Sequence, residues 1–164
     1  ASGIKTGVLE KNYTLLFAKE LEKLLLKKGM KVLMVRQDDT TIDNKDRLLY
    51  LQPLQPDLLI SFHLNSSSRA TARGVSTYYK HVAFRPLTQM ILHELLEIEN
   101  LPEFGNIGSF NFQLVQPTQY PSCLVEVAFL SNETDEQMIL KKAFQQKIAQ
   151  KVYDGIVHWL KQLD

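Results

Sequence analysis

The run Cys123-Leu124-Val125-Glu126-Val127-Ala128-Phe129 is apolar at every position but one. A segment of that length and composition reads as a strand buried on both faces, the kind found in sheets covered by helices. A second such run, Asp57-Leu58-Leu59-Ile60-Ser61-Phe62-His63, ends in a polar loop, and residues 74–79 and 32–35 read as further strands. Residues 112–115 read as a weak strand, preceded by a loop marked by Gly105 and Gly108.

Between the strands lie segments with helical periodicity. Over residues 9–28, Tyr13, Phe17, Leu21 and Leu25 recur on one face, and Lys27-Lys28-Gly29 closes the helix. Residues 43–52 predict a short helix stopped before Pro53, residues 86–98 another, and residues 132–140 begin a closing helical region. In the last helix, Phe144, Ile148, Val152, Ile156, Trp159 and Leu163 line one side. The alternation predicts a single α/β domain over residues 1–164, with a mostly parallel, twisted central sheet and helices on both faces.

The 164 residues suit one domain, and 45% hydrophobic with 23% charged content excludes a disordered tail. The single cysteine, Cys123, excludes an internal disulfide framework. A formal net charge of +1, without interleaved basic and aromatic residues, gives no case for nucleic acid. No apolar run reaches the roughly 18 residues of a membrane span. The opening Ala1-Ser2-Gly3-Ile4-Lys5-Thr6-Gly7 resembles neither a signal peptide nor a targeting helix and reads as the middle of a glycine-bearing loop.

In an open α/β sheet, functional groups gather at the carboxyl ends of the parallel strands. His63 falls at such an end, and Glu126 sits inside a strand of core composition. A carboxylate there must find a partner, hold a metal, act in catalysis or take up a proton. Glu10, in the first turn of its helix, is also what the helix dipole favours. A lone histidine at a strand end is commonly a hydrogen-bonded core residue.

The local sequences around these residues narrow the choice. Gly3-x-x-x-Gly7-x-x-Glu10-Lys11, Ser61-Phe62-His63-Leu64-Asn65 and Leu124-Val125-Glu126-Val127-Ala128-Phe129-Leu130-Ser131-Asn132 resemble zinc-dependent N-acetylmuramoyl-L-alanine amidases of bacterial cell walls. Val35-Arg36-x-x-Asp39 and Arg47 match the intervening pattern, so the resemblance runs over nearly the whole chain. It implies a zinc ion held by Glu10 and His63, with Glu126 as general base and acid. Asn65 is a candidate substrate contact. The bond cut would join the lactyl group of N-acetylmuramic acid to L-alanine of the stem peptide. Peptidoglycan or muropeptides would be the partner, with an activator protein not identified. The place of action would be periplasmic or extracellular.

The chain departs from the family pattern in two places. The first zinc histidine belongs shortly before Gly3, and His81, His93 and His158 do not sit where that ligand is expected. The resemblance therefore implies a domain incomplete at its amino end, which would hold zinc poorly as written and could be inactive. Gln113 stands where many relatives carry a basic residue. Two other readings stay open: a non-catalytic cell-wall-binding or regulatory module, and another zinc peptidase.

Other signals carry less. His93-Glu94-Leu95-Leu96-Glu97 misses the H-E-x-x-H metalloprotease pattern at its fifth residue. Cys123 reads as a small core side chain, and Ser66, Ser67 and Ser68 lack the sharp turn of a serine hydrolase. Arg69, Arg73, Lys80 and Arg85 read as a solvated basic surface or as contacts for an anionic polymer.

Overall fold

The computed structural model describes residues 2–108 and 112–163. Their strands are β1 (Leu59–Asn65), β2 (Val75–Tyr79), β3 (Glu103–Gly108) and β4 (Ser122–Phe129). Their helices are α1 (Glu10–Lys27), α2 (Asn44–Leu51), α3 (Arg85–Leu95), α4 (Glu133–Ile139) and α5 (Lys142–Leu160). The sheet runs in the order β1-β4-β2-β3. β1 pairs with β4 and β2 with β3 in parallel, while β4 and β2 are antiparallel. The result is a single α/β domain with a mostly parallel sheet.

Strand alternation divides the side chains of this sheet between two environments. Phe62 of β1, Val75 of β2, and Val125 and Val127 of β4 enter the main core with Phe17 and Leu21 of α1. Leu87, Ile91 and Leu95 of α3 join them, as do Phe144, Ile148, Val152 and Ile156 of α5. Phe17 is fully buried between Phe62 and Phe144, with ring centroids 5.9 and 6.4 Å away. Burying a side chain of that size contributes about 1.5–3 kcal/mol. A smaller cluster of Tyr78, Val115 and Leu124, flanked by Ile107 and Phe112, packs separately. The face carrying Tyr78 and Leu124 also carries the polar residues described below.

Three sequence expectations fail. Residues 32–35 join no ladder among the described residues, and Leu33 is exposed. A short apolar run becomes a strand only where a neighbouring backbone accepts it, and β1 pairs with β4 alone. The expected loop around Gly105 and Gly108 is instead β3, an edge strand on β2. Glycine there answers a close approach: a Cβ on Gly108 would come within 2.5 Å of the Tyr79 ring. Finally, the weak strand expected at residues 112–115 is a 3-10 turn, Gln113–Val115, which buries Leu114 and Val115 without ladder pairing. Pro53 likewise lies in a 3-10 turn, Gln52–Leu54, that prolongs α2.

Candidate metal and catalytic centre

Glu126 lies on the innermost part of the sheet. In the register of its strand, His63 of β1 is opposite it on one side and Ser76 of β2 on the other. The period of two along each strand puts Ser61 and His63, Leu124 and Glu126, and Ser76 and Tyr78 on one common face. Glu10 reaches this face from the first turn of α1, where α1 begins directly after a tight loop.

His63 Nδ1 stands 3.4 Å from Glu10 Oε1, and the same oxygen accepts a hydrogen bond from the Leu64 amide at 3.3 Å. The other ring nitrogen, Nε2, is 2.8 Å from Ser61 Oγ, two residues earlier on the same strand face. Phe112 stacks against the ring with centroids 6.5 Å apart. His63 is thus oriented at both nitrogens and one face. Burial pushes the Glu10 carboxyl up, but hydrogen bonds including those from His63 and the Leu64 amide outweigh it, and its pKa falls to about 2. Glu10 stays ionised at any ordinary pH.

Glu126 is the opposite case. It is 7% exposed, and its Oε2 is buried without a hydrogen-bond partner among the described residues. Burial lifts its pKa to about 7, with His63 pulling it down and the Glu10 charge pushing it up. Such a carboxyl can take or give a proton near neutrality, the property a general base and acid requires. Tyr78, beside it, is held protonated above its usual range by burial first, with the Glu126 charge acting the same way.

Two donors on one tetrahedral zinc, each about 2.0–2.2 Å from it, stand about 3.3–3.6 Å apart. The observed 3.4 Å between Nδ1 and Oε1 matches, and Nε2 already has Ser61 as its outer partner. Imidazole and carboxylate are both ordinary zinc ligands. Glu10 and His63 therefore fit two corners of a zinc site. Among the described residues no group of three His, Cys, Asp or Glu side chains could hold a metal.

Of the residues expected from sequence, Glu10, His63 and Glu126 come together. Asn65 lies at the end of β1 past a register shift, where its Oδ1 accepts from the Ser66 amide and its side chain bonds Tyr78. Gln113 begins the 3-10 turn after Phe112. His81 instead meets the Gln116 carbonyl, and His158 meets Glu94. Arg73, read as a surface cation, is tied to Asp135 Oδ1 at 3.1 Å and to the Asn100 carbonyl at 2.6 Å. Cys123 is buried, which pushes its thiol up and leaves it unreactive. Ser61 and Ser76 were not singled out as site residues from sequence. The i, i+2 spacing of Ser61 and His63 was the available signal for the first, whereas Ser76 requires knowledge of which strand lies beside β4.

Comparison with known proteins gives the chain a family. The family model for N-acetylmuramoyl-L-alanine amidase matches residues 1–158. A Staphylococcus aureus protein named probable cell wall amidase LytH is 32% identical over 158 residues, covering 95% of this chain. The chain spans about half the length, 52%, of that relative. The structure is similar to the catalytic domain of CwlV, an N-acetylmuramoyl-L-alanine amidase from Bacillus (Paenibacillus) polymyxa var. colistinus. That match has a TM-score of 0.91 and 30% identity, and covers 98% of this chain and 90% of the other. It is also similar to an N-acetylmuramoyl-L-alanine amidase from Clostridium difficile 630, with a TM-score of 0.93 and 27% identity, over 100% and 90% of the two chains. On the match over nearly its whole length, the chain belongs to the N-acetylmuramoyl-L-alanine amidase family.

Proposed function

We propose that residues 1–164 form a catalytic domain that hydrolyses the amide between the lactyl group of N-acetylmuramic acid and L-alanine of the peptidoglycan stem peptide. The observation that carries this reading is the juxtaposition on one sheet face of Glu10 Oε1 and His63 Nδ1, 3.4 Å apart, with the buried carboxylate of Glu126 opposite His63, its Oε2 without a hydrogen-bond partner among the described residues. A polar set of this kind has no use in packing, because a buried carboxylate oxygen without a donor costs several kcal/mol when charged.

In this reading Glu10 and His63 hold zinc. When bound, that ion supplies a Lewis acid for the amide carbonyl and acidifies a water in its open position. Ser61 fixes the His63 ring so that Nδ1, and not Nε2, faces Glu10. Glu126 accepts the proton of the attacking water. It then delivers that proton to the alanine nitrogen as the carbon–nitrogen bond breaks, leaving a lactyl carboxylate and a free peptide amine. A carboxyl whose pKa is raised to about 7 suits both halves of that transfer. Asn65 and Tyr78 border the same face and are assigned to substrate contact. The polymer and its fragments place the activity in the cell envelope, in keeping with the cell-wall role in the name of the relative LytH.

The test is mass spectrometry of a defined muropeptide incubated with the chain and Zn2+, beside a chelated control. The expected result is zinc-dependent release of intact stem peptide from the muramyl sugar. Peptide bonds cut within the stem instead would make this another zinc peptidase. Binding of the muropeptide without any cleavage would make it a non-catalytic cell-wall module.

A further inference from the structure

α4 begins at Asn132, whose Oδ1 caps the Asp135 amide, and its first turn carries Glu133, Asp135 and Glu136. A helix dipole favours acids at such positions. Glu136, however, is fully buried, and it faces the loop that leads into α1. Its Oε1 accepts from the Thr6 amide at 3.0 Å and from the Thr6 hydroxyl at 2.6 Å, and its Oε2 accepts from the Lys5 amide at 3.0 Å.

The loop is shaped around that carboxylate. A Cβ on Gly3 would lie 2.0 Å from Glu136 Oε1, so only glycine lets the backbone come this close. The Gly3 amide bonds the Val8 carbonyl at 2.7 Å, the Ile4 amide bonds Leu130 at 3.2 Å, and an antiparallel bridge from Ser2 to Leu9 closes the turn. Glu10 is the next residue after that closure. Backbone bonds within the turn define its shape, while Glu136 and the Ile4–Leu130 bond moor it to the rest of the fold. The outer Lys5–Glu133 ion pair, at 3.1 Å, joins two exposed side chains and contributes little.

We propose that Glu136 is a positioning residue for the metal site: it clamps residues 3–8 and thereby sets where Glu10 stands relative to His63. Glu136 touches neither Glu10 nor His63 in any described contact, and acts through the loop. The proposal rests on the reading of Glu10 and His63 as zinc ligands. It adds a requirement for Gly3 and Glu136 together, because the glycine makes room for the acid.

The experiment measures Zn2+ affinity by competition with a chromophoric chelator, well below the unfolding midpoint, for the chain and its Glu136→Ala, Glu136→Gln, Gly3→Ala and Asp135→Asn variants. Amide exchange at Lys5 and Thr6 is followed in parallel. Outer-shell partners of metal ligands typically change affinity by about 10–100-fold. Glu136→Ala is expected to lose at least about tenfold in Zn2+ affinity and to speed exchange at Lys5 and Thr6, with Glu136→Gln intermediate. Gly3→Ala is expected to reproduce the loss in the parent and to add less on top of Glu136→Ala, since the Glu136 atoms it strikes are gone and the end of the Val8 side chain, 2.9 Å away, is left to give way. Asp135→Asn, as deeply buried and one residue away, is expected to lower the unfolding midpoint with Zn2+ affinity unchanged.

Equal Zn2+ affinity in the parent and Glu136→Ala would overturn the proposal while leaving the zinc reading intact. So would equal losses in Glu136→Ala and Asp135→Asn, because the effect would then be general destabilisation. A parent chain that takes up no Zn2+ would overturn the zinc reading itself and this proposal with it.

Discussion

The end of β4 and the start of α4 both bury carboxylates, and they treat them oppositely. Asp135 accepts from Arg73 Nε at 3.1 Å, the Gly74 amide at 2.7 Å and the Phe129 amide at 3.0 Å. Glu136 accepts from two amides and a hydroxyl. Glu126, nearer the middle of β4, has one oxygen buried with no partner among the described residues. Saturated acids knit segments distant in sequence: Asp135 joins the start of β2 to the end of β4, and Glu136 holds the loop before α1. An acid left short of donors does no such joining, and this is the acid to which the proposal gives the proton transfer. The contrast divides the three carboxylates where burial alone does not, since all three are less than a tenth exposed.

The sharpest way to break this contrast is Glu126→Gln. Hydrolysis of the muropeptide is expected to fall by about 10²–10⁴-fold, the usual worth of a general acid–base group. Stability should move the other way. The raised pKa of Glu126 means that its contribution is fully present below the ordinary carboxyl range and is lost as pH rises through about 7. Glutamine does not ionise, so above pH 7 the variant, free of metal, is expected to be at least as stable as the parent in urea unfolding. A variant that keeps its turnover, or that is much less stable at pH 8, would place Glu126 with the structural acids.

Asp135→Ala tests the opposite pole. Removing one partner from a buried, hydrogen-bonded charge pair typically costs about 3–5 kcal/mol. Three donors lose their acceptor here, including the buried Gly74 amide. Urea unfolding is expected to show a loss of that order, and a change within about 0.5 kcal/mol would mean these bonds contribute nothing net.

Glu136 supplies a subtler check, through pH. Burial works to raise its pKa, but the Thr6 and Lys5 hydrogen bonds outweigh it and hold the carboxyl below the ordinary value. A depressed pKa gives stability that is present above the unfolded-state pKa and lost as pH falls through the folded one. The stability difference between the parent and Glu136→Gln is therefore expected to be constant at neutral pH and to shrink on acidification below about pH 4.5, the unperturbed value. A difference independent of pH would show that the ionised form is not what the loop binds.

These contrasts were unequally visible in the sequence. Glu126 stood out because a charge inside Leu124-Val125-x-Val127-Ala128 violates core composition, whatever the fold. Strands β1 and β4 were legible as apolar runs of strand length, and β2 as a short β-branched and aromatic stretch after Gly74. β3 was not, because Glu103, Gly105, Asn106 and Gly108 have little strand character and pair only through the sheet edge that β2 offers. Glu10 and His63 were recognisable through family resemblance, while Ser61 escaped notice until the strand fixed its side. Asp135 and Glu136 were hidden by their local plausibility. Acids after an Asn cap satisfy a helix terminus so well that nothing prompts a search for distant partners, yet those partners lie at residues 5, 6, 73, 74 and 129.

The near-metalloprotease pattern at His93 gives the smallest expected effect and the cleanest control. Glu94 is buried, and its oxygens meet His158 Nδ1 at 2.7 Å and Lys151 Nζ at 3.3 Å, tying α3 to α5. Glu97 also pairs with Lys151, but its side chain is 55% exposed. Its carboxyl is held below the usual range by the Lys151 hydrogen bond first and by the Lys151 charge next. An ion pair so exposed is screened by solvent and contributes little. His93 belongs to no group of three His, Cys, Asp or Glu side chains that could hold a metal among the described residues. Both His93→Ala and Glu97→Gln are therefore expected to leave muropeptide hydrolysis, Zn2+ affinity and the unfolding midpoint at parental values. Loss of Zn2+ binding in His93→Ala would move the metal to the α3 surface, and the division between saturated and open carboxylates would then no longer mark the site.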